Sequence, residues 1–445
     1  MAGMVNRASS SAAANLLGLG ELTPARRAPL ARSGPRGAGL IGSVSSGPTD
    51  AGGFRSAYRV VGDELRLLDQ RVIPERLEDL VARRGSDVAY YLRLGACRGG
   101  ALMAQVAAYG LAFTAAERVG QPPGARNAEL RRTQRALAEA RLSSRLPAWA
   151  MERLEATRAA LGESADGADV AAALRAEADA IAAAFQLGNA AIAAALAELL
   201  AEVEERPLGV LVHGDPGALS GGLVGTAITA LADLNAQGRE LRVFVTETRP
   251  FMDGARLASW ELRQAGIRHH IIADSAVAWL FEREAIDAVL MGAEWIAANG
   301  DSAAVVGSRA IAQLAAAVTP APRVPAAPAE AHQEVAAAAE ATREVAFSTG
   351  ATRQARPRVI VCALSDTIDP ATPDGSAIPV ELRPARDMAA YLAGFSIHIT
   401  DALVPAADVI PASAIHALVT ERGVLAPPSG EGIAALLEMA PEGSV

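Results

Sequence analysis

Four stretches of this 445-residue chain place carboxylates and glycines directly after short apolar runs. The first reads His213-Gly214-Asp215-Pro216-Gly217-Ala218-Leu219-Ser220-Gly221-Gly222. The second runs from Thr246-Glu247-Thr248-Arg249-Pro250 to Asp253-Gly254-Ala255-Arg256-Leu257. The third is Asp274-Ser275, and the fourth runs from Gly292-Ala293-Glu294-Trp295 to Asn299-Gly300-Asp301. Carboxyl groups at the mouth of a buried strand can move protons. Glycines there let backbone N–H groups approach an anion at a helix start. Each feature also has a bland counterpart, because glycine serves any tight turn and a carboxylate after a strand often caps the next helix. Taken one at a time, none of the four decides between the two.

The elements that must position these residues are α/β. Past Pro207, short apolar runs at 209–213, 242–246, 271–272, 288–291 and 358–363 alternate with helical stretches at about 222 onward, 255–264 and 275–282. Strands alternating with helices specify a parallel sheet with crossover helices, and ligands bind outside the carboxyl ends of such strands. Before Pro207 the chain is mostly helical. Residues 59–68 alternate as a strand, 70–82 lead into helical periodicity, and 87–117 are helical apart from the turn at Arg98-Gly99-Gly100. Residues 148–205 form two alanine-rich helices divided near 162–167. We therefore expect a tail or targeting segment over 1–55, a mostly helical domain over 56–206 and a Rossmann-like domain over 207–445. The Ala/Pro-rich segment 318–358 is too long for an ordinary connection and reads as an insertion.

Composition narrows the chemistry. No lysine occurs, so all 41 basic residues are arginine, which excludes a lysine Schiff base and the lysine of a phosphate-binding loop. A net charge of −9 supplies no basic field for nucleic acid. Two cysteines, Cys97 and Cys362, allow neither a disulfide framework nor a cysteine-based zinc cluster. No uninterrupted apolar run reaches the length of a membrane span. The expected setting is the cytoplasm, without membrane or nucleic-acid partners.

In order and together, the four stretches resemble the methylthioribose-1-phosphate isomerases and the related alpha, beta and delta regulatory subunits of the eukaryotic translation-initiation exchange factor. The resemblance spans about 68–437 and is strongest over 174–181, 253–266, 292–301, 367–381 and 408–428. It implies an N-terminal helical domain, a Rossmann-like C-terminal domain and a homodimer. For the isomerase branch it implies conversion of a ribose 1-phosphate aldose to a ketose by a cysteine and an aspartate, with no metal and no cofactor. The matching binding positions are the loop Arg98, Gly99 and Gly100, then Arg145, His213, Gly214, Arg249 and Asn299.

The departures fall on the reactive positions. Gly214 stands where the family's cysteine follows its histidine, and Glu294 stands for the aspartate of the G-A-D motif. Asp253 replaces a glutamine that contacts phosphate, where a carboxylate repels a dianion. Ala304-Val305 replaces an Asn-Lys pair, and the R-G-A-P loop has lost its proline. Two readings follow. In one, the protein is an isomerase with an altered site: Glu294 is the acid/base, Asp215 or Asp253 is the second proton-transfer group, and Arg98 holds the oxygen-rich end of a sugar or sugar phosphate. In the other, it is a non-catalytic binding or regulatory homologue on the same scaffold.

Overall fold

A computed structural model describes residues 56–203, 206–319, 356–389, 391 and 401–439. The N-terminal segment 1–55 and nearly all of the 318–358 segment lie outside the described residues. The chain enters as a three-stranded antiparallel sheet of β1 (Tyr58–Val61), β2 (Glu64–Leu68) and β3 (Asp79–Ala82). The sequence reading takes 70–82 towards a helix. Instead β3 pairs with β2, because Leu80 and Ala82 supply the alternating inward positions of an edge strand and no helical stripe forms.

Five helices follow: α1 (Gly85–Leu94), α2 (Gly100–Glu117), α3 (Pro123–Ala138), α4 (Arg145–Leu161) and α5 (Gly167–Ala201). Helix α2 is apolar nearly all round and buried from Leu102 to Ala115, so it is the axis on which α1, α3, α4 and α5 pack. Helix α5 starts at Asp166, whose carboxylate accepts the Ala168 N–H. By length and composition it could cross a membrane. Here Leu174, Ile181, Phe185, Ile192 and Leu196 bury its inner face as a core helix.

The second half holds a seven-stranded sheet. Its strands are β4 (Leu208–Val212), β5 (Leu241–Thr246), β6 (His269–Ile272), β7 (Ala288–Gly292), β10 (Arg358–Cys362), β15 (Ala417–Thr420) and β16 (Gly423–Leu425). The order is β16-β15-β10-β7-β4-β5-β6, all parallel except the terminal hairpin strand β16. Helices α6 (Ala218–Gly221), α7 (Ala227–Ala236), α8 (Ser259–Gln264), α9 (Val277–Arg283) and α10 (Ser308–Ala317) connect the strands, and α11 (Gly430–Glu438) follows β16. A π-helical turn over Gly254–Ala258 leads into α8. A smaller sheet of β8 (Trp295–Ala297), β9 (Ser302–Val305), β11 (Ile368–Asp369) and β14 (Ala407–Ile410) leans on the end of β7, beside the short ribbon β12 (Leu382–Arg383) and β13 (Val404–Pro405). One hydrophobic cluster joins Leu102, Leu174 and Phe185 to Val210, Leu231 and Leu290, so the core runs through the change of architecture at 206–207.

Candidate functional site

Sheet order reverses between β4 and β7, the place where chain leaves two neighbouring strands in opposite directions and opens a crevice. A cavity of about 140 Å³ lies there. His213, Gly214 and Asp215 reach it from β4, and Gly292, Ala293 and Glu294 from β7. Asp253 comes from the loop after β5, and Arg98, Gly99 and Gly100 come from the start of α2. Two glycines permit that approach. A Cβ on Gly99, at φ +90°, would lie 2.3 Å from Ser220 Cβ; one on Gly100 would lie 2.9 Å from Ser144 Oγ and 3.0 Å from Glu294 Oε2.

Most of the unpaired buried polar atoms around the cavity are acceptors. Asp215 Oδ1 and Oδ2, Asp253 Oδ1, Glu294 Oε2, His213 Nε2 and Ser144 Oγ are buried without a hydrogen-bond partner among the described residues. Leaving such a group unpaired costs about 1–3 kcal/mol, so several of them facing one space mark a place built for a polar ligand. Burial pushes the Asp215 carboxyl well up, with Glu261 and Asp253 adding to it. Burial also raises Glu294, against the neighbouring Ser144 hydroxyl, Arg141, Arg98 and the Gly100 N–H. His213 is lowered by burial and is a neutral imidazole at pH 7, its Nδ1 2.7 Å from Thr246 Oγ1.

The cations are already answered. Arg98 Nε sits 2.9 Å from Asp253 Oδ2, with its guanidinium 4.1 Å from the Phe251 ring centroid. Arg141 lines the same cavity and donates from Nε to Glu381 at 3.3 Å. The Asp253 position therefore neutralises the arginine that the sequence reading assigns to the oxygen-rich end of the ligand.

Three of the sequence-derived binding residues lie elsewhere. Arg145 turns its side chain to Glu152, 2.9 Å away, while its backbone N–H donates to the Glu294 carbonyl at 2.9 Å. The residue thus anchors the start of α4 on the Glu294 backbone. Arg249 reaches the Met388 carbonyl at 2.6 Å, and its own N–H is held by Asp274 at 2.7 Å. Asn299 pairs with Asp301, whose carboxylate also accepts the N–H groups of Gly375 and Ala412. Asp274, the third strand-end carboxylate, likewise holds Thr248, a non-glycine residue at φ +60°, through its N–H at 2.8 Å. Asp274 and Asp301 lock turns, the bland role that strand-end carboxylates often take.

Sequence reasoning missed Arg141, Ser144, Cys362 and Glu261. Cys362 ends β10 and lines the cavity, but burial pushes its thiol up to about 12, so it stays protonated. Cys97, also buried, is pushed to about 12 and has no thiolate character either. Glu261 sits in α8 and accepts the Ala218 and Leu219 N–H groups, each at 2.7 Å, at the start of α6. Nothing in a Trp-Glu-Leu helical stretch distinguishes such a buried carboxylate from a solvated one.

Fold and site together define a Rossmann-like α/β protein with a helical N-terminal layer and a carboxyl-lined small-molecule cavity at the switch point of its sheet. The chain belongs to the Initiation factor 2 subunit family, whose profile matches residues 96–342 and 341–427. Methylthioribose-1-phosphate isomerase of Chloroflexus aurantiacus is 34% identical over 369 residues, covering 82% of this chain and 94% of that protein. The Pseudomonas aeruginosa protein of the same name is 33% identical over 373 residues, covering 84% and 93%. Among solved structures, 5-methylthioribose 1-phosphate isomerase from Pyrococcus horikoshii superposes with a TM-score of 0.68 at 22% identity, covering 86% of this chain and 96% of that one. The delta subunit of translation initiation factor eIF-2B from A. fulgidus gives 0.63 at 24% identity, covering 86% and 99%. Both share the fold.

Proposed function

We propose that this protein is an aldose–ketose isomerase with an altered active site, acting on a small sugar or sugar phosphate of the ribose 1-phosphate type. One observation carries the reading: Glu294, Asp215 and Asp253 converge with Arg98 on a single cavity, and each carboxyl offers it a buried oxygen with no partner. The isomerases to which the chain is similar support the reaction class. Isomerisation needs an acid on the ring oxygen, a group to move hydrogen between C2 and C1, and a site that excludes water. Glu294, whose carboxyl is raised by burial, is suited to protonate the ring oxygen. Asp215 or Asp253 takes the second proton-transfer role, and Arg98 with Arg141 orients the oxygen-rich end. We place the protein in the cytoplasm as a homodimer.

A non-catalytic role has its own support. Gly214 sits at φ +79°, where a side chain is strained, and a Cβ there would crowd Val305 Cγ1 at 3.0 Å, so the backbone beside His213 disfavours the family's cysteine. Proton NMR in deuterated buffer decides between the two readings. It is run with methylthioribose 1-phosphate, 5-deoxyribose 1-phosphate and their unphosphorylated analogues. Formation of a ketose, with solvent deuterium at C1, supports the enzyme. No conversion and no ligand-induced shift in melting temperature moves the assignment to the regulatory reading.

A further inference from the structure

Asp215 has no donor within reach, yet its carboxyl is fully enclosed and lies against a second carboxyl, that of Glu261. Two ionised carboxylates are both acceptors and cannot satisfy each other, so a proton is the one thing that turns the contact into a hydrogen bond. Which of the two keeps it is set by their other partners. Glu261 receives one backbone N–H on each oxygen, from Ala218 and Leu219 at 2.7 Å, which favours its ionised form. Gly217 makes that reach possible, since a Cβ there would lie 2.4 Å from Glu261 Oε1. Asp215 receives none. The charged groups facing Asp215 are Glu261 and Asp253, which oppose its ionisation, and Arg98, which favours it but is already engaged with Asp253.

We infer that Asp215 and Glu261 hold one proton between them in mildly alkaline solution, carried on Asp215 and donated to Glu261, so that Asp215 meets a ligand in the cavity as an uncharged acceptor. The consequence reaches the chemistry of the site. Counted from the sequence, Asp215, Asp253 and Glu294 form an acidic pocket. With Asp215 neutral and Asp253 spent on Arg98, the cavity is close to charge-balanced and offers the free Asp215 oxygen to a sugar hydroxyl. The role of Asp215 as an uncharged acceptor for substrate rests on the isomerase reading; its protonation does not.

Infrared spectroscopy of the whole protein in mildly alkaline buffer tests the pair. The expected result is a carbonyl stretch of a buried, protonated carboxylic acid, with one component missing in Asp215→Asn. In Glu261→Gln the charge beside Asp215 is gone, so this component is expected to shift in frequency while the buried Asp215 keeps its proton. A spectrum without a protonated carboxyl, or one that Asp215→Asn leaves unchanged, overturns the proposal. Should Asp215→Asn fail to fold, the unsubstituted protein labelled with ¹³C at aspartate carboxyls decides by NMR. One aspartate still protonated in mildly alkaline buffer supports the pair, and complete ionisation of all aspartates refutes it. Either result is independent of turnover, so a failure of the isomerase reading is seen separately, in the ketose assay.

Discussion

Glu294 presents one buried oxygen to the cavity, with the Ser144 hydroxyl and the Gly100 N–H beside its carboxyl, and its backbone binds Ala303 and Arg145. Exchange for glutamine keeps the shape and removes the proton. Glu294→Gln is therefore expected to lower kcat by about 10²–10⁴-fold, the usual worth of a positioned acid or base, while the melting temperature stays within a few degrees. Unfolding of this variant would make the carboxylate structural and end its catalytic assignment. Asp253 sets the ligand charge that the site accepts. Asp253→Gln frees Arg98 from its 2.9 Å partner, and affinity for a phosphorylated sugar should rise about tenfold, ~1.4 kcal/mol, relative to the unphosphorylated sugar. Calorimetric titration of both ligands against both proteins measures the ratio. Gly214 is a backbone requirement: Gly214→Cys imposes a side chain at φ +79° beside Val305 and should cost about 1–2 kcal/mol in urea unfolding.

Helix α5 is the element that joins the helical layer to the site. Asn189, buried midway along it, donates to the carbonyls of Gly221 at 3.2 Å and Val224 at 2.9 Å. These bonds pin the glycine-rich segment that follows β4. Asn189→Ala leaves both carbonyls without that donor and should lower stability by about 1–3 kcal/mol. Amide exchange should speed up over 214–226 while α5 itself stays protected. Unchanged exchange in that segment would show that Gln70 and Gln105, which donate to the Leu219 and Gly221 carbonyls, hold it without Asn189. The helical periodicity of α5 was readable from its alanine- and leucine-rich pattern. The function of Asn189 was not, because one asparagine on a long helix looks the same whether it faces water or a neighbouring loop.

Across the whole molecule, buried carboxyls give stability a pH dependence with a definite sign. Glu261 is pushed by burial from 4.5 to about 7, against the Leu219 and Ala218 N–H groups. Between those two values the native state keeps a proton that the unfolded chain has released. The native state binds more protons there, so stability falls as pH rises. The contribution is fully present below 4.5 and is lost as pH passes through about 7. Asp366, raised by burial to about 6, adds the same sign over a lower window. Melting temperature should therefore decline from mildly acidic to neutral pH, and Glu261→Gln should flatten the decline. A wild-type profile that rises steadily over this range would contradict the assignment of buried, proton-holding carboxyls.

The order of short strands and helices, the absence of lysine and the strand-end carboxylates are local properties, and the sequence by itself determined the α/β class and the family. Edge strand β3 was misread because four residues carry too little periodicity against a helical neighbour. Partnership is a different kind of property. Whether a carboxylate locks a turn, as Asp274 and Asp301 do, or faces a cavity, as Glu294 does, depends on which distant backbone N–H groups arrive beside it. Arg145 was drawn away by Glu152, Arg141 entered unannounced, and Glu261 met Asp215 across 46 residues of chain. Only the tertiary structure decided these, because protonation and binding follow burial and neighbours, and those are set by packing across the sheet.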